Sequence, residues 1–246
     1  MTYDATRSIE GTVSVITGAT AGIGAATATA LVAAGGRVVL AGRRAERLAA
    51  IVDELGEDSA LPMTGDVRDP HFNEALVAAA VDRWGRLDTV VPNAGIGSYG
   101  GILAMDDELV REMVDTNYLG TIWSVRSAVR QFRKQGEGGD IVIIASAAGF
   151  RGWASEAVYA GTKHAQVGLG GSLDRELRAE GVRVTLICPA GVATEFAIGA
   201  GREAGSAVLD TYLRPEDVAH AVQVVLEQPR SVRTTIWQLW SMEQDS

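Results

Sequence analysis

The fold of this chain is decided by residues 12–24, which read Thr-Val-Ser-Val-Ile-Thr-Gly-Ala-Thr-Ala-Gly-Ile-Gly. The first six residues are rich in β-branched side chains and predict a short buried strand. The glycine-rich part leads into an alanine-rich helix that extends to about Ala34. Glycines between a strand and a helix let the backbone turn tightly and approach a pyrophosphate, which the helix N-terminus stabilises. This order predicts a dinucleotide-binding unit.

The alternation of strand and helix continues along the chain. Further strands are predicted at residues 37–41, 60–65, 87–91, 140–145, 182–188 and 234–240, with helical segments between them. A long helix is predicted at 106–135, interrupted in character around Asn117. At 246 residues, one domain with a large core is the simplest organisation. We expect a single α/β domain over residues 1–246, doubly wound, with a mostly parallel seven-stranded sheet and helices on both faces.

A second signal lies in Tyr159-Ala-Gly-Thr-Lys163, with Ser146 thirteen residues before the tyrosine. Tyr159 and Lys163 lie one turn apart on one face of a predicted helix. A phenol ionises near pH ~10, and a nearby ammonium favours the phenolate and lowers its pKa. Lys163 is one of only two lysines, the other being Lys134. This pattern predicts a tyrosine that performs acid/base chemistry beside a lysine.

In order and spacing, these motifs resemble the short-chain dehydrogenase/reductase family from about Gly11 to about Thr194. The resemblance implies a Rossmann-type fold and an oxidoreductase that interconverts a ketone or aldehyde and an alcohol. It assigns the proton exchange to Tyr159 and a hydrogen bond to the carbonyl oxygen to Ser146. It gives Lys163 two roles, binding the nicotinamide ribose and lowering the pKa of Tyr159. Asn117 would hold a water that continues the proton path.

The resemblance also assigns residues to the cofactor. The matching positions are Gly18, Thr20, Gly22, Ile23, Gly24, Asp66, Val67, Asn93, Ala94, Gly95, Tyr159, Lys163, Pro189, Val192 and Thr194. The chain departs from the family pattern at Pro92 and Ala190, where relatives usually have Asn and Gly. Pro92 removes a backbone donor, which leaves the bonding at the end of the fourth strand open. Asp66 could equally be only a cap for the turn that follows it.

The end of the second strand bears on the choice between NAD(H) and NADP(H). An acidic residue there usually binds the ribose 2′-hydroxyl of NAD, and this chain has Gly42 instead. Arg43 and Arg44 follow, where a guanidinium could bind a 2′-phosphate. We therefore expect NADP(H) to be favoured over NAD(H). The alternative is that both arginines are solvated residues at the start of a helix.

The substrate is expected near six residues chosen by position alone. They are Ile96, Tyr99, Ala148, Trp153, Phe196 and Tyr212. Residues 195–212 are rich in glycine and alanine, which suits a mobile substrate lid. Two alternatives stay open: an imine (C=N) reductase of the same fold, and a non-catalytic NADP-binding regulator. A regulator would have little need of Asn117, Ser146, Tyr159 and Lys163 together.

Composition narrows the possible partners to a small-molecule substrate and copies of the chain itself. A net charge of −9 argues against a nucleic-acid surface. No apolar run approaches the ~20 residues of a membrane helix, and no membrane is expected. The three histidines, at 71, 164 and 220, are scattered, so no metal site is predicted. The single cysteine, Cys188, and a polar start of the chain without a signal-peptide core favour a cytoplasmic protein.

The predicted helix at 156–179 contains four glycines, at positions 161, 168, 170 and 171. Each costs roughly 1 kcal/mol in a helix relative to alanine. The cost is tolerable if another backbone packs closely there or the helix is locally broken. Relatives form dimers and tetramers through this helix and the long one before it. We expect a homotetramer, with a dimer the next choice.

Overall fold

The computed structural model describes residues 6–244, a range that leaves out the first five and last two residues of the predicted domain. In that part, the strands are β1 (Val13–Thr17), β2 (Arg37–Gly42), β3 (Ala60–Thr64), β4 (Thr89–Val91), β5 (Gly139–Ile144), β6 (Val182–Pro189) and β7 (Ile236–Leu239). The α-helices are α1 (Gly22–Ala33), α2 (Ala45–Leu55), α3 (Pro70–Trp84), α4 (Asp107–Val114), α5 (Gly120–Gln135), α6 (Ala157–Leu177) and α7 (Pro215–Glu227).

The described strands form one seven-stranded sheet in the order β3-β2-β1-β4-β5-β6-β7. Every pairing is parallel, so the sheet expected to be mostly parallel is wholly parallel. The strand order reverses between β1 and β4, where Val15 is paired with Val39 on one side and Val90 on the other. Ligands of open α/β sheets bind outside the carboxyl ends of the strands at such a switch point.

Both faces of the sheet are covered, which explains why β1 is buried along its whole length. On one face, α3, α5 and α6 pack through side chains such as Leu76, Phe132 and Leu177. On the other face, α1 and α7 pack through side chains such as Leu31 and Val222. The alanine-rich character of α1 lets that helix lie close to the strands. The predicted doubly wound architecture is confirmed.

The long helix predicted at 106–135 is broken in the structure. α4 ends at Val114, a π-helical turn covers Asp115–Leu119, and α5 begins at Gly120. Asp106 caps α4 by accepting a hydrogen bond from the Leu109 N–H at 2.8 Å. The predicted interruption around Asn117 is therefore confirmed as a π turn. π turns inside α-helices occur frequently at functional sites.

Two further observations concern the described residues 6–244. No helix among them is long and apolar enough to cross a lipid bilayer. No three of their histidine, cysteine, aspartate and glutamate side chains are grouped so that they could hold a metal ion.

Candidate active site

A cavity of about 930 Å³ opens at the carboxyl ends of the central strands. Most of the residues predicted from the sequence to form the site line it. They are Gly18, Thr20, Gly22, Ile23, Arg43, Arg44, Asp66, Val67, Asn93, Ala94, Gly95, Ile96, Tyr99, Ser146, Ala148, Trp153, Tyr159, Lys163, Pro189, Val192, Thr194, Phe196 and Tyr212. Gly24 and Asn117 lie behind this wall. One continuous space thus runs from the glycine turn to the Tyr159 side chain.

In the glycine turn the backbone packs so closely that there is no space for side chains at this end of the cavity. A Cβ on Gly18, whose φ is +67°, would lie 2.8 Å from the Ala94 Cα. A Cβ on Gly24 would lie 2.5 Å from the Gly18 carbonyl oxygen, so Gly24 allows close packing of the turn on α1. α1 has no side-chain cap and no acidic residue in its first turn. Its first N–H groups are therefore available to donate hydrogen bonds to an anion such as a pyrophosphate.

The end of β4 supports this turn from below. The Asn93 side-chain amide donates to the carbonyl oxygens of Thr17, at 2.9 Å, and Gly18, at 3.2 Å. The Asn93 N–H donates to the Thr17 hydroxyl at 3.0 Å. Pro92 lacks an N–H, but its carbonyl accepts from the Ile144 N–H at 3.0 Å and keeps β4 joined to β5. These hydrogen bonds therefore hold the end of β4 against β1 and β5, although Pro92 departs from the family pattern.

The second departure, Ala190, is also accommodated by backbone bonding. Its N–H donates to the Leu239 carbonyl at 2.9 Å, which ties the end of β6 to β7. The following Gly191 is the residue that needs to be glycine, because a Cβ there would lie 2.9 Å from the Tyr212 ring.

Tyr159, Ser146 and Lys163 meet at one end of the cavity. Tyr159 and Lys163 project from α6, and Ser146 lies two residues beyond Ile144, the last residue of β5 paired with β6. The Lys163 ammonium donates to the Ile144 carbonyl at 3.1 Å and lies 5.7 Å from the centre of the Tyr159 ring. The Ser146 hydroxyl accepts from the Ala148 N–H at 3.1 Å, which fixes its position beside the tyrosine. This arrangement can exchange a proton with an oxygen bound in the cavity.

Burial dominates the acid/base properties of these groups. Burial raises the pKa of Tyr159 well above its usual value, and the neighbouring Tyr99 adds to the rise, while the Ser146 hydroxyl lowers it in part. Burial also lowers the pKa of Lys163 to about 8, against a smaller opposing effect of Cys188. Lys163 is not among the groups that produce the rise at Tyr159, so the expected lowering of the Tyr159 pKa by Lys163 stays a prediction. Tyr159 keeps its proton at neutral pH and is suited to donate it.

Asn117, in the π turn, is bonded entirely to protein. Its Oδ1 accepts from the Ile96 N–H at 2.8 Å, and its Nδ2 donates to the Ile96 carbonyl and to the Thr162 hydroxyl. Its own carbonyl accepts from Gln166 Nε2, at 2.8 Å, and from the Thr121 hydroxyl, at 2.7 Å. Asn117 therefore joins the loop at Ile96 to α6, and its role in holding a water stays a prediction. Gln166, whose Oε1 has no partner among residues 6–244, is a buried polar residue that the sequence analysis missed.

At the other end of the cavity, Arg43 and Arg44 follow a strand end without a carboxylate. Arg44 donates to the Thr20 hydroxyl, at 3.0 and 2.6 Å, and to the Glu195 carboxylate, at 2.9 Å. It thereby bridges the glycine turn and the start of the predicted lid. The Arg43 side chain is 60% exposed, with one contact to Glu112 at 3.4 Å. Both guanidiniums lie where an anionic group in the cavity could reach them.

Asp66 and Val67 form the neighbouring rim of the cavity. Asp66 accepts from the Arg68 N–H at 2.9 Å and from the Arg68 guanidinium at 2.9 and 2.6 Å. Hydrogen bonding from Arg68 lowers the pKa of Asp66, so that carboxylate stays ionised. The Val67 carbonyl accepts from the buried Asn73 side chain at 2.8 Å. Asp66 therefore does cap its turn, and it also borders the cavity.

The predicted substrate residues form an aromatic wall around Tyr159. The Tyr159 ring lies 6.0 Å from that of Tyr99 and 5.6 Å from that of Phe196, measured between centres. Further along, Trp153 and Trp240 pack with their rings 6.1 Å apart. Ile96, Ala148 and Tyr212 complete this end of the cavity. A mainly apolar compartment thus surrounds the tyrosine hydroxyl.

Two charged residues in this compartment were missed by the sequence analysis, Arg202 and Glu156. Arg202 lies in the predicted lid, and its guanidinium faces three aromatic rings. Glu156 precedes α6 and accepts a hydrogen bond from the Trp153 N–H at 2.9 Å. A signal for Arg202 existed, because it is the only basic residue within 195–212. Glu156 carried no comparable signal.

The family model described as short chain dehydrogenase matches residues 12–204. An uncharacterized oxidoreductase of Staphylococcus haemolyticus is 35% identical over 227 residues, covering 91% of this chain and 94% of that protein. An alcohol dehydrogenase from the archaeon Thermococcus sibiricus, complexed with 5-hydroxy-NADP, superposes with a TM-score of 0.86 at 29% identity, covering 96% and 98% of the two chains. The closed form of a serine dehydrogenase complexed with NADP+ gives 0.88 at 30% identity, covering 95% and 96%.

Proposed function

Because this chain belongs to the short-chain dehydrogenase family and is an oxidoreductase, we propose that it interconverts a ketone or aldehyde and an alcohol with NADP(H). One observation carries the proposal: Tyr159, Ser146 and Lys163 converge at one end of a cavity whose other end is the glycine turn. The structural neighbours named for alcohol and serine dehydrogenation support this choice, since both names describe oxidation of a hydroxyl compound.

A nicotinamide, when bound, supplies or accepts the hydride in this chemistry. Tyr159 holds a proton at neutral pH, as a phenol does even without the rise in pKa that burial causes, and it donates this proton to the carbonyl oxygen of the substrate. Ser146 donates a hydrogen bond to the same oxygen and stabilises the charge that develops there. Lys163, buried beneath the tyrosine ring, would bind the cofactor ribose and restore the proton to Tyr159.

The residues present fit an NADP(H) molecule. The first turn of α1, with the glycine turn, would bind the pyrophosphate. Arg43 and Arg44 would bind the 2′-phosphate, and Gly42 offers no carboxylate to repel it. Asp66 and Val67 would border the adenine. Preference for NADP(H) over NAD(H) therefore rests on charge at the end of β2.

We also propose that the chain assembles through α6 as a homotetramer, with a dimer the next choice. Among residues 6–244, a Cβ on Gly161 or Gly168 would meet nothing within 4 Å, so this side of α6 could receive another copy. Gly170 has a different reason to be glycine, because a Cβ there would lie 2.9 Å from Leu186 of the same chain. A cytoplasmic location stays a prediction, resting on the free, buried Cys188.

The proposed function is tested by Tyr159→Phe, with Tyr118→Phe on the π turn as the matched control. Oxidation of NADPH is followed over a panel of ketones, aldehydes and imines, and NADPH binding is measured separately by fluorescence. Tyr159→Phe should bind NADPH normally and lose at least ~10² in turnover, the lower range of general-acid effects. Tyr118→Phe should behave as the natural sequence.

Each other outcome contradicts a defined part of the proposal. Near-normal turnover in Tyr159→Phe would remove the tyrosine from its role as proton donor. Turnover confined to imines would favour C=N reduction. Tight NADPH binding with no turnover of any compound would favour a non-catalytic regulator.

A further inference from the structure

Arg202 is placed in the substrate compartment by a rigid turn of the predicted lid. The Arg202 N–H donates to the Ala197 carbonyl at 3.0 Å, and the Gly199 N–H donates to the Arg202 carbonyl at 2.9 Å. Gly201 has a φ of +107°, and a Cβ there would lie 2.5 Å from the Tyr99 Cβ. This turn is joined to the loop after β4 by the Tyr99 N–H, which donates to the Ala200 carbonyl at 2.8 Å. These backbone hydrogen bonds hold residue 202 at the wall of the substrate compartment.

Its guanidinium is held among aromatic rings. The carbon at its centre lies 5.8 Å from the Tyr99 ring, 5.7 Å from the Phe196 ring and 5.3 Å from the Tyr212 ring. Nη1 donates to the Val192 carbonyl at 3.1 Å. A guanidinium carries five N–H donors. The three rings surround its charge but do not accept a hydrogen bond from every N–H. The group therefore has donors left for a planar acceptor in the cavity.

Arg202 differs from the two other arginines that line the cavity in its carboxylate partners. Arg43 is paired with Glu112 and Arg44 with Glu195. Within residues 6–244, Arg202 makes no ion pair with a carboxylate. Glu156 lines the same compartment; burial raises the pKa of that carboxyl, while the Trp153 N–H and the charge of Arg202 oppose the rise. An arginine keeps its charge at any physiological pH.

Arg202 is also close to the reacting end of the compartment. The rings of Phe196 and Tyr99 each lie within 6.0 Å of both the Arg202 guanidinium and the Tyr159 ring, measured to ring centres. Arg202 and Tyr159 line the same cavity. A short substrate could contact both when its reacting carbon lies at Tyr159.

We propose that Arg202 binds a carboxylate of the substrate, so that the physiological substrates are short hydroxy acids and the corresponding oxo acids. This inference rests on the proposed function. In the oxidative direction the alcohol C–H bond breaks and its hydride passes to oxidised NADP, while the O–H proton passes to the Tyr159 oxygen, which has first released its own proton to solvent. Hydroxy acid and NADP+ become oxo acid, NADPH and a proton, and the carboxylate is unchanged. Bidentate pairing of guanidinium with carboxylate fixes the orientation of the substrate as well as adding affinity.

The test compares acids with their own methyl esters, which keep the alcohol and remove the charge. The probes are 2-hydroxybutyrate, 3-hydroxybutyrate and 4-hydroxypentanoate, each as acid and methyl ester, with NADP+ reduction as the assay. At least one acid should exceed its ester about tenfold or more in kcat/KM. Arg202→Met should raise KM for that acid about 10- to 100-fold, the range for a lost charge-assisted pair. KM for the ester should stay the same or fall.

Two controls separate substrate binding from a structural role in the lid. Arg151→Met removes another arginine stacked on an aromatic ring, 5.4 Å from Trp153, at a position outside the cavity wall. It should leave the preference for the acid intact. Binding without turnover is measured in a Tyr159→Phe background from the fluorescence of Trp153 and Trp240, which both line the cavity. Arg202→Met should weaken binding of the acid in that background and leave the NADP+ affinity unchanged.

The failures are distinguishable. Esters oxidised as well as their acids, or a preference for the acid that persists in Arg202→Met, would overturn the role of Arg202 and leave the proposed function standing. Equal loss of acid and ester turnover in Arg202→Met would assign the residue to lid structure instead. If no acid or ester, and none of the ketones and aldehydes, reacts while NADP+ binds, the proposed function fails and this inference falls with it.

Discussion

Replacing Lys163 by methionine should stabilise the folded protein while destroying its activity. The lysine is buried, with 4% of its surface exposed, and forms no ion pair among the described residues. Its stabilising contact is one hydrogen bond to the Ile144 carbonyl. Methionine has a similar length and no charge, so it fills the same space without the desolvation cost.

The magnitude follows from the pKa. A change from 10.5 to about 8 corresponds to a cost of about 3 kcal/mol for keeping the ammonium buried at pH 7. Loss of the hydrogen bond to the Ile144 carbonyl reduces the gain in stability by about 1 kcal/mol. Lys163→Met should therefore raise the free energy of unfolding by about 2 kcal/mol, or about 4–8 °C in Tm for a chain of this size.

The gain should depend on pH with a definite sign. Between about pH 8 and 10.5 the unfolded chain binds the lysine proton and the folded protein does not. The stability of the natural sequence therefore rises through that window relative to Lys163→Met. The advantage of the methionine variant should be complete below pH 8 and should shrink towards pH 10.5. Cofactor affinity and turnover should both fall, since Lys163 would bind the ribose.

Urea unfolding at pH 7 and pH 9.5, at one protein concentration, measures these quantities. The chain supplies its own control, because its other lysine, Lys134, is exposed on α5. Lys134→Met should change the free energy of unfolding by less than about 0.5 kcal/mol at both pH values. A Lys163→Met protein that is less stable than the natural sequence at pH 7, or a difference that is the same at both pH values, would refute the reasoning.

Two further predictions concern the cofactor and the assembly. Steady-state titrations should show NADPH preferred over NADH, and Arg43→Ala should reduce that preference by about tenfold through affinity rather than turnover; better use of NADH by the natural sequence would contradict this. Reversal by Gly42→Asp should require Thr20→Ser as well, because a Cβ at 42 would lie 2.4 Å from the Thr20 Cγ2. Light scattering at micromolar concentration should give a mass near four copies of the 25.8 kDa chain, and a monomer would refute assembly through α6.

The fold could be predicted because local signals and long-range packing agree. The β-branched run of β1, the glycine turn and the start of α1 specify one unit, and repetition of strand and helix specifies the rest. The interruption at Asn117 was also visible, as a polar residue among apolar ones. The remaining errors were small: β4 and the edge strand β7 are shorter than predicted, at Thr89–Val91 and Ile236–Leu239.

The candidate site was predicted less completely because the spacing of residues along the sequence does not reveal their burial or the direction of their side chains. The interval between Tyr159 and Lys163 indicated that they share a face, but gave no measure of the desolvation that raises the tyrosine pKa. Arg202 stood out only as a lone basic residue in a loop. Two of its aromatic neighbours, Phe196 and Tyr212, belong to the same segment, but the third, Tyr99, comes from the loop after β4. No local pattern brings such residues together.

The π turn at Asp115–Leu119 has a consequence for insertions and deletions. A π turn holds one residue more than an α-helical turn. Compared with one continuous helix, the side chains of α5 are therefore turned about the helix axis by about 100°, the angle of a single helical residue. Deleting one residue here would join the two helices into one regular helix and swing Asn117 away from α6. Inserting one residue elsewhere in α5 would turn its buried face towards water. Single-residue gaps in this stretch therefore change the phase of the helix, although its length hardly changes.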